Sequence, residues 1–244
     1  MRNIKLTIEY DGTDYHGWQY QPNAVTIQGV MEELVGRIVN EKVSLAASGR
    51  TDAGVHAMNQ VANFMTESGI SCDALQRGLN GLLPADIVIK DIAEVDIDFH
   101  SRFSATGKVY IYHILNRPYP SALQNRFSWY IRCPLDIALM NDAASHLIGE
   151  HDFSSFRASS CGAPHPVKTI KTARFRREVD LLVFEVEATG FLHHMVRNIV
   201  GTLVDVGAGR RTAGSFRELL DLKDRRLAGV TAPPHGLFLK DVKY

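Results

Sequence analysis

Apolar residues in the first half of the chain follow two periods, one typical of strands and one typical of helices. Every second residue from Ile4 to Tyr10 is apolar, which predicts a half-buried strand. After a loop rich in Gly and Asp, apolar residues from Ile27 to Ile38 recur at helical spacing, and Thr26 stands where an N-cap is expected. The same reasoning predicts strands over 42–48, 59–65, 86–95 and 108–115, and a helix over 71–83 that Ser71 caps.

The second half of the chain has a similar order of elements. Asp136 is expected to cap a helix over 136–149, and residues 169–188 have the pattern of a hairpin that turns at Val179–Asp180. A short helix over 215–224 and a terminal strand over 235–244 follow later in the chain. Between the hairpin and the short helix, a helix over 191–206 has one apolar face, formed by Leu192, Met195, Ile199, Leu203 and Val206.

Residues near 116–128 contain two prolines and show little periodicity, so we place a domain boundary there. The prediction is an N-terminal α+β domain over 1–115 and a C-terminal α+β domain over 116–244, whose last strand is allowed to return to the central sheet. We expect mixed, mainly antiparallel sheets, with a cleft between the two halves.

Composition narrows the class of protein. The 244 residues allow one large domain or two small ones, and 45% hydrophobic residues suffice for a core. The 27 basic residues balance the 27 acidic ones. This balance argues against nucleic-acid binding through net charge, although basic residues gathered on one face would still permit it.

Cysteine spacing and the N-terminal sequence indicate where the protein works. Cys72, Cys133 and Cys161 are far apart and form no CxxC pair, which argues against a disulfide framework or a zinc knuckle. The first twelve residues lack a signal-peptide core, and no apolar run approaches the roughly 18 residues of a membrane span. We expect a soluble protein of the reducing cytoplasm.

The stretch Ala47–Phe64 crowds polar residues between two apolar runs. Gly49 and Gly54 bracket its centre, and small residues let a backbone approach a bulky ligand closely. A reactive carboxylate at Asp52 must be ionised, and a nearby cation such as Arg50 favours that form. A structural turn, in which Asp52 accepts backbone N–H bonds, is the commoner use of such a residue. Both interpretations are open at this point.

Aromatic and basic residues are compatible with contacts to nucleic acid, but each has a simpler explanation. Tyr110 and Tyr112 share a strand face beside Lys108, which suits either base stacking or sheet packing. The hairpin pattern alternates cations with apolar residues, which suits either a phosphate-binding stripe or a solvated strand face. Basic residues are concentrated more widely in the middle and later chain, at Arg102, Lys108, Arg117, Arg157, Lys168, Lys171, Arg174, Arg176, Arg177, Arg210 and Arg211.

The predicted helix over 191–206 carries a further candidate, Arg197, among apolar neighbours. A half-buried guanidinium favours a carboxylate partner, although a long side chain can also extend to water. His193 and His194 are adjacent and point in different directions, which disfavours a metal site. Residues 207–212, "GAGRRT", follow a helix, which disfavours a phosphate-binding loop of the strand-to-helix kind.

Six segments together resemble the TruA family of tRNA pseudouridine synthases. "GRTDAGVHA" (49–57) and "GFLHHMVRNIVGTL" (190–203) are the most specific. The others are "IEYDGTDYHGWQ" (8–19), "DFHSRFSATGKVYIY" (98–112), "GEHDFSSFRA" (149–158) and "GLFL" (236–239). The matches span nearly the whole chain in the order of the family.

The resemblance implies an isomerase without metal or small-molecule cofactor, which converts uridine to pseudouridine at positions 38, 39 and 40 of the tRNA anticodon stem-loop. It also implies a fold of two α+β domains with ferredoxin-like halves, whose sheets join across a central basic cleft. The implied partners are tRNA and a second copy of the chain, with no membrane. In such a homodimer, basic grooves are compatible with zero net charge.

The resemblance also assigns roles residue by residue. Asp52 matches the nucleophile, Arg50 the arginine that displaces the target base, and Tyr110 the tyrosine that stacks on it. Arg197 matches the basic residue that pairs with the aspartate, and Leu237 lies in the apolar segment beside the catalytic centre. The other expected substrate contacts are Arg102, Phe103, Lys108, Arg157, His193 and His194. His56 receives no role.

Two other functions are compatible with the same residues. A non-catalytic tRNA-binding chaperone would use the cleft without changing the RNA. A glycosidase acting on nucleosides would release free uracil, but the sequence offers no second positioned acid of the kind that glycoside hydrolysis requires.

Overall fold

The computed structural model describes all 244 residues, which form two compact units. Unit 1 comprises Met1–Thr106 and Phe238–Tyr244, and unit 2 comprises Gly107–Leu237. The division thus follows residue 106, whereas the sequence pattern placed a domain boundary after residue 115. No helix combines the length and the apolar character that crossing a bilayer requires.

The elements are as follows. The strands are β1 (Arg2–Tyr10), β2 (Ala46–Ala47), β3 (His56–Thr66), β4 (Ile87–Val95), β5 (Gly107–Asn116), β6 (Trp129–Ile131), β7 (Gly149–Asp152), β8 (Val167–Glu178), β9 (Leu181–Ala188) and β10 (Leu237–Lys243). The helices are α1 (Ile27–Val39), α2 (Cys72–Leu82), α3 (Ile137–Ser145), α4 (Met195–Gly207) and α5 (Ala213–Leu222), with short 3₁₀ turns at Ser154–Phe156, Arg225–Leu227 and Pro234–Gly236.

Unit 1 has the β-α-β-β-α-β order of a ferredoxin-like fold. β1 lies between β3 and β4 and is antiparallel to both, and β2 is antiparallel to β3. β10 joins β3 in parallel, with Phe238 opposite His56. The predicted N-caps are confirmed, because Thr26 Oγ1 accepts a bond from Gly29 N and Ser71 Oγ accepts one from Ala74 N.

One predicted strand of unit 1 is mostly wrong. Of residues 42–48, only Ala46 and Ala47 pair with β3. Leu45, which precedes them, donates its N–H to the Glu32 carboxylate of α1 at 2.8 Å. Since N–H groups alternate sides along a strand, the Leu45 bond lies on the edge away from β3, and Ser48 N still donates to Val61 O of β3 at 2.7 Å.

Unit 2 is built on an antiparallel sheet. β9 lies between β5 and β8 and is antiparallel to both, and β7 is antiparallel to β8. The hairpin turn at Val179–Asp180 and the Asp136 cap of α3 are confirmed, and Val179 has a φ of +55°. β6 and β7 are short strands that the sequence pattern did not indicate. The prediction of an α+β fold with mainly antiparallel sheets is confirmed, and the joining of the sheets across a basic cleft stays a prediction.

Helix α4 is the most buried helix element of unit 2, since nearly all its residues are inaccessible. It begins at Met195, after His194 with a φ of +61°, and so starts later than the predicted residue 191. Gly201 lets the backbone at Val230 lie close against α4, because a Cβ at residue 201 would lie 1.8 Å from the carbonyl oxygen of Val230. The segment that precedes β10 therefore packs directly on the backbone of α4.

Candidate active site

The motif "GRTDAGVHA" forms the connection between β2 and β3 in unit 1. Val55 N donates to the Asp52 carbonyl at 3.1 Å, and Gly54 has a φ of +74°, which a side chain would oppose. Asp52 therefore leads into a tight turn. Asp52 is half-buried, whereas Arg50 is exposed.

A second loop, residues 11–19, is hydrogen-bonded to this motif loop. Trp18 N donates to Thr51 O at 3.1 Å, and Gly54 N donates to Tyr15 O at 3.3 Å. Gly17, with a φ of +83°, lies so close that a Cβ would be 2.6 Å from Thr51 O. Both loops belong to matched motifs, and their contact explains why the first of them is rich in glycine.

Buried polar side chains are hydrogen-bonded to the start of the motif loop. Gln60 is fully buried, donates to Gly49 O at 2.9 Å and accepts from Ser48 Oγ at 2.7 Å. The Tyr10 hydroxyl lies 2.7 Å from Thr51 Oγ1. Burial raises the pKa of Tyr10 to about 12, although its bonds to Thr51 and Gln60 oppose the rise. The ring therefore stays a neutral hydrogen-bonding group at physiological pH.

His56 ties the two loops together at the first residue of β3. Its Nδ1 atom accepts a hydrogen bond from Gly12 N at 3.1 Å and lies 3.0 Å from the Asp11 carboxylate. Its ring stacks on Phe238 at 4.6 Å. The residue that received no role from the sequence thus has a structural one.

The other candidates of unit 1 lie on its surface. Phe103 is 76% exposed and packs at a tilt against the His100 ring, with ring centroids 4.4 Å apart. The guanidinium of Arg102 lies over the Phe103 ring, 5.6 Å from its centroid. An exposed aromatic ring next to a cation is suited to stacking on a base and contacting its phosphate.

In unit 2, Tyr110 lies on the face of β5 that also carries Tyr112, and both side chains are buried. Phe191 packs edge-on against Tyr110 at 5.0 Å. Lys108, two residues earlier on the same face, is half-buried. The aromatic face of β5 therefore continues onto the segment that leads into α4.

The residues before α4 form a compact cluster. The His193 and His194 rings lie 4.0 Å apart, and His193 Nδ1 is 3.3 Å from Ser160 Oγ. Ala158 N donates to His193 O at 2.9 Å, which brings the end of "GEHDFSSFRA" beside "GFLHHMVRNIVGTL". Arg157, just before Ala158, is half-buried. Two matched motifs that are distant in sequence thus meet within unit 2.

Arg197 lies in the first turn of α4 and is half-buried. Its Nε atom donates to Ala232 O at 2.8 Å, and Ala232 N donates to Arg197 O at 3.1 Å. Its charge also acts on nearby groups. Burial is the main cause that lowers the pKa of His235, and Arg197 lowers it further, against a hydrogen bond that His235 donates to the Ser128 backbone and that raises it.

The segment after Ala232 leads directly to Leu237, which is buried. The Tyr112 hydroxyl donates to Pro233 O at 2.8 Å, and a Cβ at Gly236 would lie 2.7 Å from the Tyr112 ring. The apolar segment with Leu237 is therefore held against the Tyr110 face of β5.

Glutamates of β9 and of β8 itself pair with several cations of the predicted basic stripe of β8. Lys171 pairs with Glu187 at 3.3 Å, and Arg176 pairs with Glu185 at 3.3 Å and with Glu178 at 2.7 Å. Arg174 lies 3.8 Å from Glu185. These contacts favour the solvated strand face over a phosphate-binding stripe.

The predicted site residues therefore fall into two sets. Unit 1 carries Arg50, Asp52, Arg102 and Phe103, and unit 2 carries Lys108, Tyr110, Arg157, His193, His194, Arg197 and Leu237. Sequence reasoning missed Gln60, which contacts the motif loop, and Phe191, which contacts Tyr110. A glutamine inside an apolar strand was the available signal for Gln60.

Comparison with known proteins identifies the family. A sequence profile described as tRNA pseudouridine synthase matches residues 6–104 and 143–244. Proteins named tRNA pseudouridine synthase A from Acetivibrio thermocellus and Thermoanaerobacter sp. (strain X514) are 48% and 46% identical over all of this chain and all of their own length. One of the same name from Myxococcus xanthus is 48% identical over all of this chain and 92% of its own. The chain belongs to the tRNA pseudouridine synthase family, whose members are isomerases acting on tRNA.

Proposed function

We propose that the chain isomerises uridine to pseudouridine at positions 38, 39 and 40 of the tRNA anticodon stem-loop, with Asp52 as nucleophile. The observation that carries this proposal is the immobilised turn at Asp52. The backbone around it is hydrogen-bonded to the 11–19 loop at Thr51 and Gly54 and to Gln60 at Gly49. A carboxylate on such a turn has its position set before the substrate arrives, which is what a reacting group needs.

The reaction redistributes bonds within one nucleotide. The N1–C1′ bond of uridine breaks, the uracil rotates, and a C5–C1′ bond forms while the C5 proton leaves and N1 gains a proton. Atoms and electrons balance without a redox cofactor and without water. A paired uridine is unreachable, so it must first leave the stack at a cost of a few kcal/mol. Arg50, which is exposed, is proposed to occupy the vacated place, and Tyr110 to stack on the extruded base.

Arg197 is proposed to be the partner that keeps Asp52 ionised. An adjacent cation lowers the pKa of a carboxylate, and a nucleophilic carboxylate must be charged. Leu237 is proposed to exclude water beside the reacting sugar, because hydrolysis would leave an abasic site. Arg102, Phe103, Lys108, Arg157, His193 and His194 are proposed as contacts to the RNA.

The proposed assembly is a homodimer that binds tRNA in the cytoplasm. Two copies present each basic residue twice, which strengthens phosphate contacts without a positive net charge on either chain. Light scattering after gel filtration measures the mass of the assembly. A monomer at micromolar concentration would contradict this part of the proposal.

Nucleoside analysis tests the reaction and its positions together. Anticodon stem-loops that keep a single uridine at position 38, 39 or 40, with cytidine at the other two, are incubated with the protein and digested to nucleosides. We expect pseudouridine from each, and none from the loop with cytidine at all three. Free uracil would indicate a glycosidase, and binding with unchanged nucleosides would indicate a chaperone. Pseudouridine from the three-cytidine loop would contradict the proposed positions.

A further inference from the structure

Arg225 is a guanidinium inside unit 2 whose acceptors are all uncharged. It stands in the 3₁₀ turn after α5 and is half-buried. One terminal nitrogen donates to Asn198 Oδ1 and to Thr231 Oγ1, both at 3.0 Å. The other donates to Gly229 O at 2.9 Å and to Ala228 O at 3.4 Å. One side chain thus binds both α4 and the segment 228–231.

Asn198 of α4 completes the junction, meaning the hydrogen-bonded group formed by Arg225, Asn198 and Thr231. The residue is fully buried, directly follows Arg197, and donates its amide to Phe156 O at 2.7 Å. Its Oδ1 atom accepts from Thr231 Oγ1 at 2.7 Å as well as from Arg225. Both terminal nitrogens of Arg225, the amide of Asn198 and the hydroxyl of Thr231 have hydrogen-bond partners, so the geometry admits little freedom.

The held segment ends at the backbone contact with Arg197. Ala232 is fully buried, and its carbonyl accepts the Nε–H of Arg197 at 2.8 Å. The guanidinium is planar, so a fixed Nε–H sets the direction of the two Nη groups. On the other side of Ala232, Pro233 O is held by the Tyr112 hydroxyl at 2.8 Å.

We infer that Arg225 is a positioning residue for the reaction: with Asn198 and Thr231 it holds the segment 228–232 so that Ala232 orients the guanidinium of Arg197. The inference rests on the role proposed for Arg197 above. Charge-assisted hydrogen bonds fix direction as well as add stability, so the fork of Arg225 is suited to holding this segment in one orientation. Arg225 itself touches neither the substrate nor Asp52 in this scheme.

Two substitutions test the inference, each in the full-length protein. Arg225→Lys keeps the charge but loses the fork that reaches both α4 and the segment. Thr231→Val keeps the shape of the side chain and removes its hydroxyl. This variant can still be measured if Arg225→Lys does not fold. Arg226→Lys is the matched control, because the neighbouring Arg226 side chain is 89% exposed and pairs with Asp224 on the surface.

The readout is the single-turnover rate of pseudouridine formation against pH, with tRNA affinity and the melting temperature measured in parallel. We expect the rate to fall about 10- to 100-fold in Arg225→Lys and less in Thr231→Val, with tRNA affinity unchanged. A displaced guanidinium stabilises the ionised form of the proposed nucleophile less, so the acid limb of the pH–rate profile moves upward. Arg226→Lys is expected to match the wild type.

Each other outcome overturns the inference. If folded Arg225→Lys and Thr231→Val keep the wild-type rate and pH profile, Arg225 positions nothing. If the rate falls in proportion to lost stability and the acid limb stays in place, the role is structural only. Arg197→Leu separates these results from a failure of the proposed function, since full activity in that variant would remove the role of Arg197 itself.

Discussion

Each unit contains one fully buried carboxamide beside its candidate site residues, and the two carboxamides bind different kinds of group. Gln60 in unit 1 binds a backbone carbonyl at Gly49 and hydroxyl groups at Ser48 and Tyr10. Asn198 in unit 2 binds a guanidinium at Arg225 as well as the hydroxyl group of Thr231. The motif loop of unit 1 is therefore held by neutral groups and the start of α4 by a charged one.

This difference predicts different weaknesses. The motif loop depends on close backbone contacts, so an added methyl group should harm it most. The start of α4 depends on a charged fork with several acceptors, so loss of an acceptor should harm it most. The following predictions, from the largest expected effect to the smallest, can break or sharpen this contrast.

Gly17→Ala tests the close contacts of unit 1. Its Cβ would lie 2.6 Å from Thr51 O at a φ of +83°, so we expect a loss of about 3 kcal/mol in the free energy of unfolding. Gly209→Ala is the control, because its φ is +73° and a Cβ there meets nothing within 4 Å. Strain alone should cost the control about 1 kcal/mol. Equal losses in urea titrations would show that the contact with the motif loop contributes nothing.

Asn198→Leu and Gln60→Met compare the two buried amides. We expect losses in unfolding free energy of about 3 and about 2 kcal/mol, because only the first removes an acceptor from a charged group. A double-mutant cycle of Asn198→Leu with Arg225→Met should show a coupling of about 1 kcal/mol or more. Additive losses would contradict the charged junction in unit 2.

Phe103→Ala tests the exposed aromatic cluster of unit 1. We expect a loss of about 1–3 kcal/mol in tRNA binding, the range for one stacked base, and less than about 0.5 kcal/mol in stability. Tyr119→Ala in unit 2 is the control, since its ring is equally exposed at 76% and was assigned no RNA contact. Filter binding at fixed salt measures both. The same loss in both variants would mean that exposure alone explains the effect.

The smallest expected effect concerns the turn that carries Arg225. Side-chain and then backbone hydrogen bonds from Arg226 lower the pKa of Asp224 to about 2. A carboxylate with a lowered pKa contributes stability above its unfolded value near 3.8, and that contribution is lost as pH falls through about 2. Carboxyl NMR should show this titration, and Arg226→Gln should move it upward. An unchanged midpoint in that variant would exclude Arg226 as the cause.

Local chemistry made much of the fold predictable from the sequence. Thr26, Ser71 and Asp136 cap the helices that follow them, because a side chain reaches only its own first turn. The strand over 42–48 was predicted too long, since its first four residues do not pair with β3 and the Leu45 N–H binds Glu32 of another element. The start of α4 was placed too early, because the left-handed backbone of His194 interrupts an apolar pattern that continues through it.

The candidate site was predictable as single residues and not as an arrangement. Asp52, Tyr110 and Arg197 were found because they lie in specific motifs. The groups that hold them were not, since Gln60 and Arg225 act through contacts that no local period encodes. Arg225 is 27 residues from Asn198 along the chain, and only folding brings them to 3.0 Å.

The central claim is that the carboxylate of Asp52 is the nucleophile, and tritium release from tRNA labelled at C5 of uridine tests it most directly. That hydrogen leaves only when C5 becomes the glycosidic carbon. Asp52→Asn should bind tRNA, melt like the wild type and release no tritium in a single turnover, while Asp73→Asn, an exposed carboxylate of α2, should release all of it. Full release by Asp52→Asn would contradict the account.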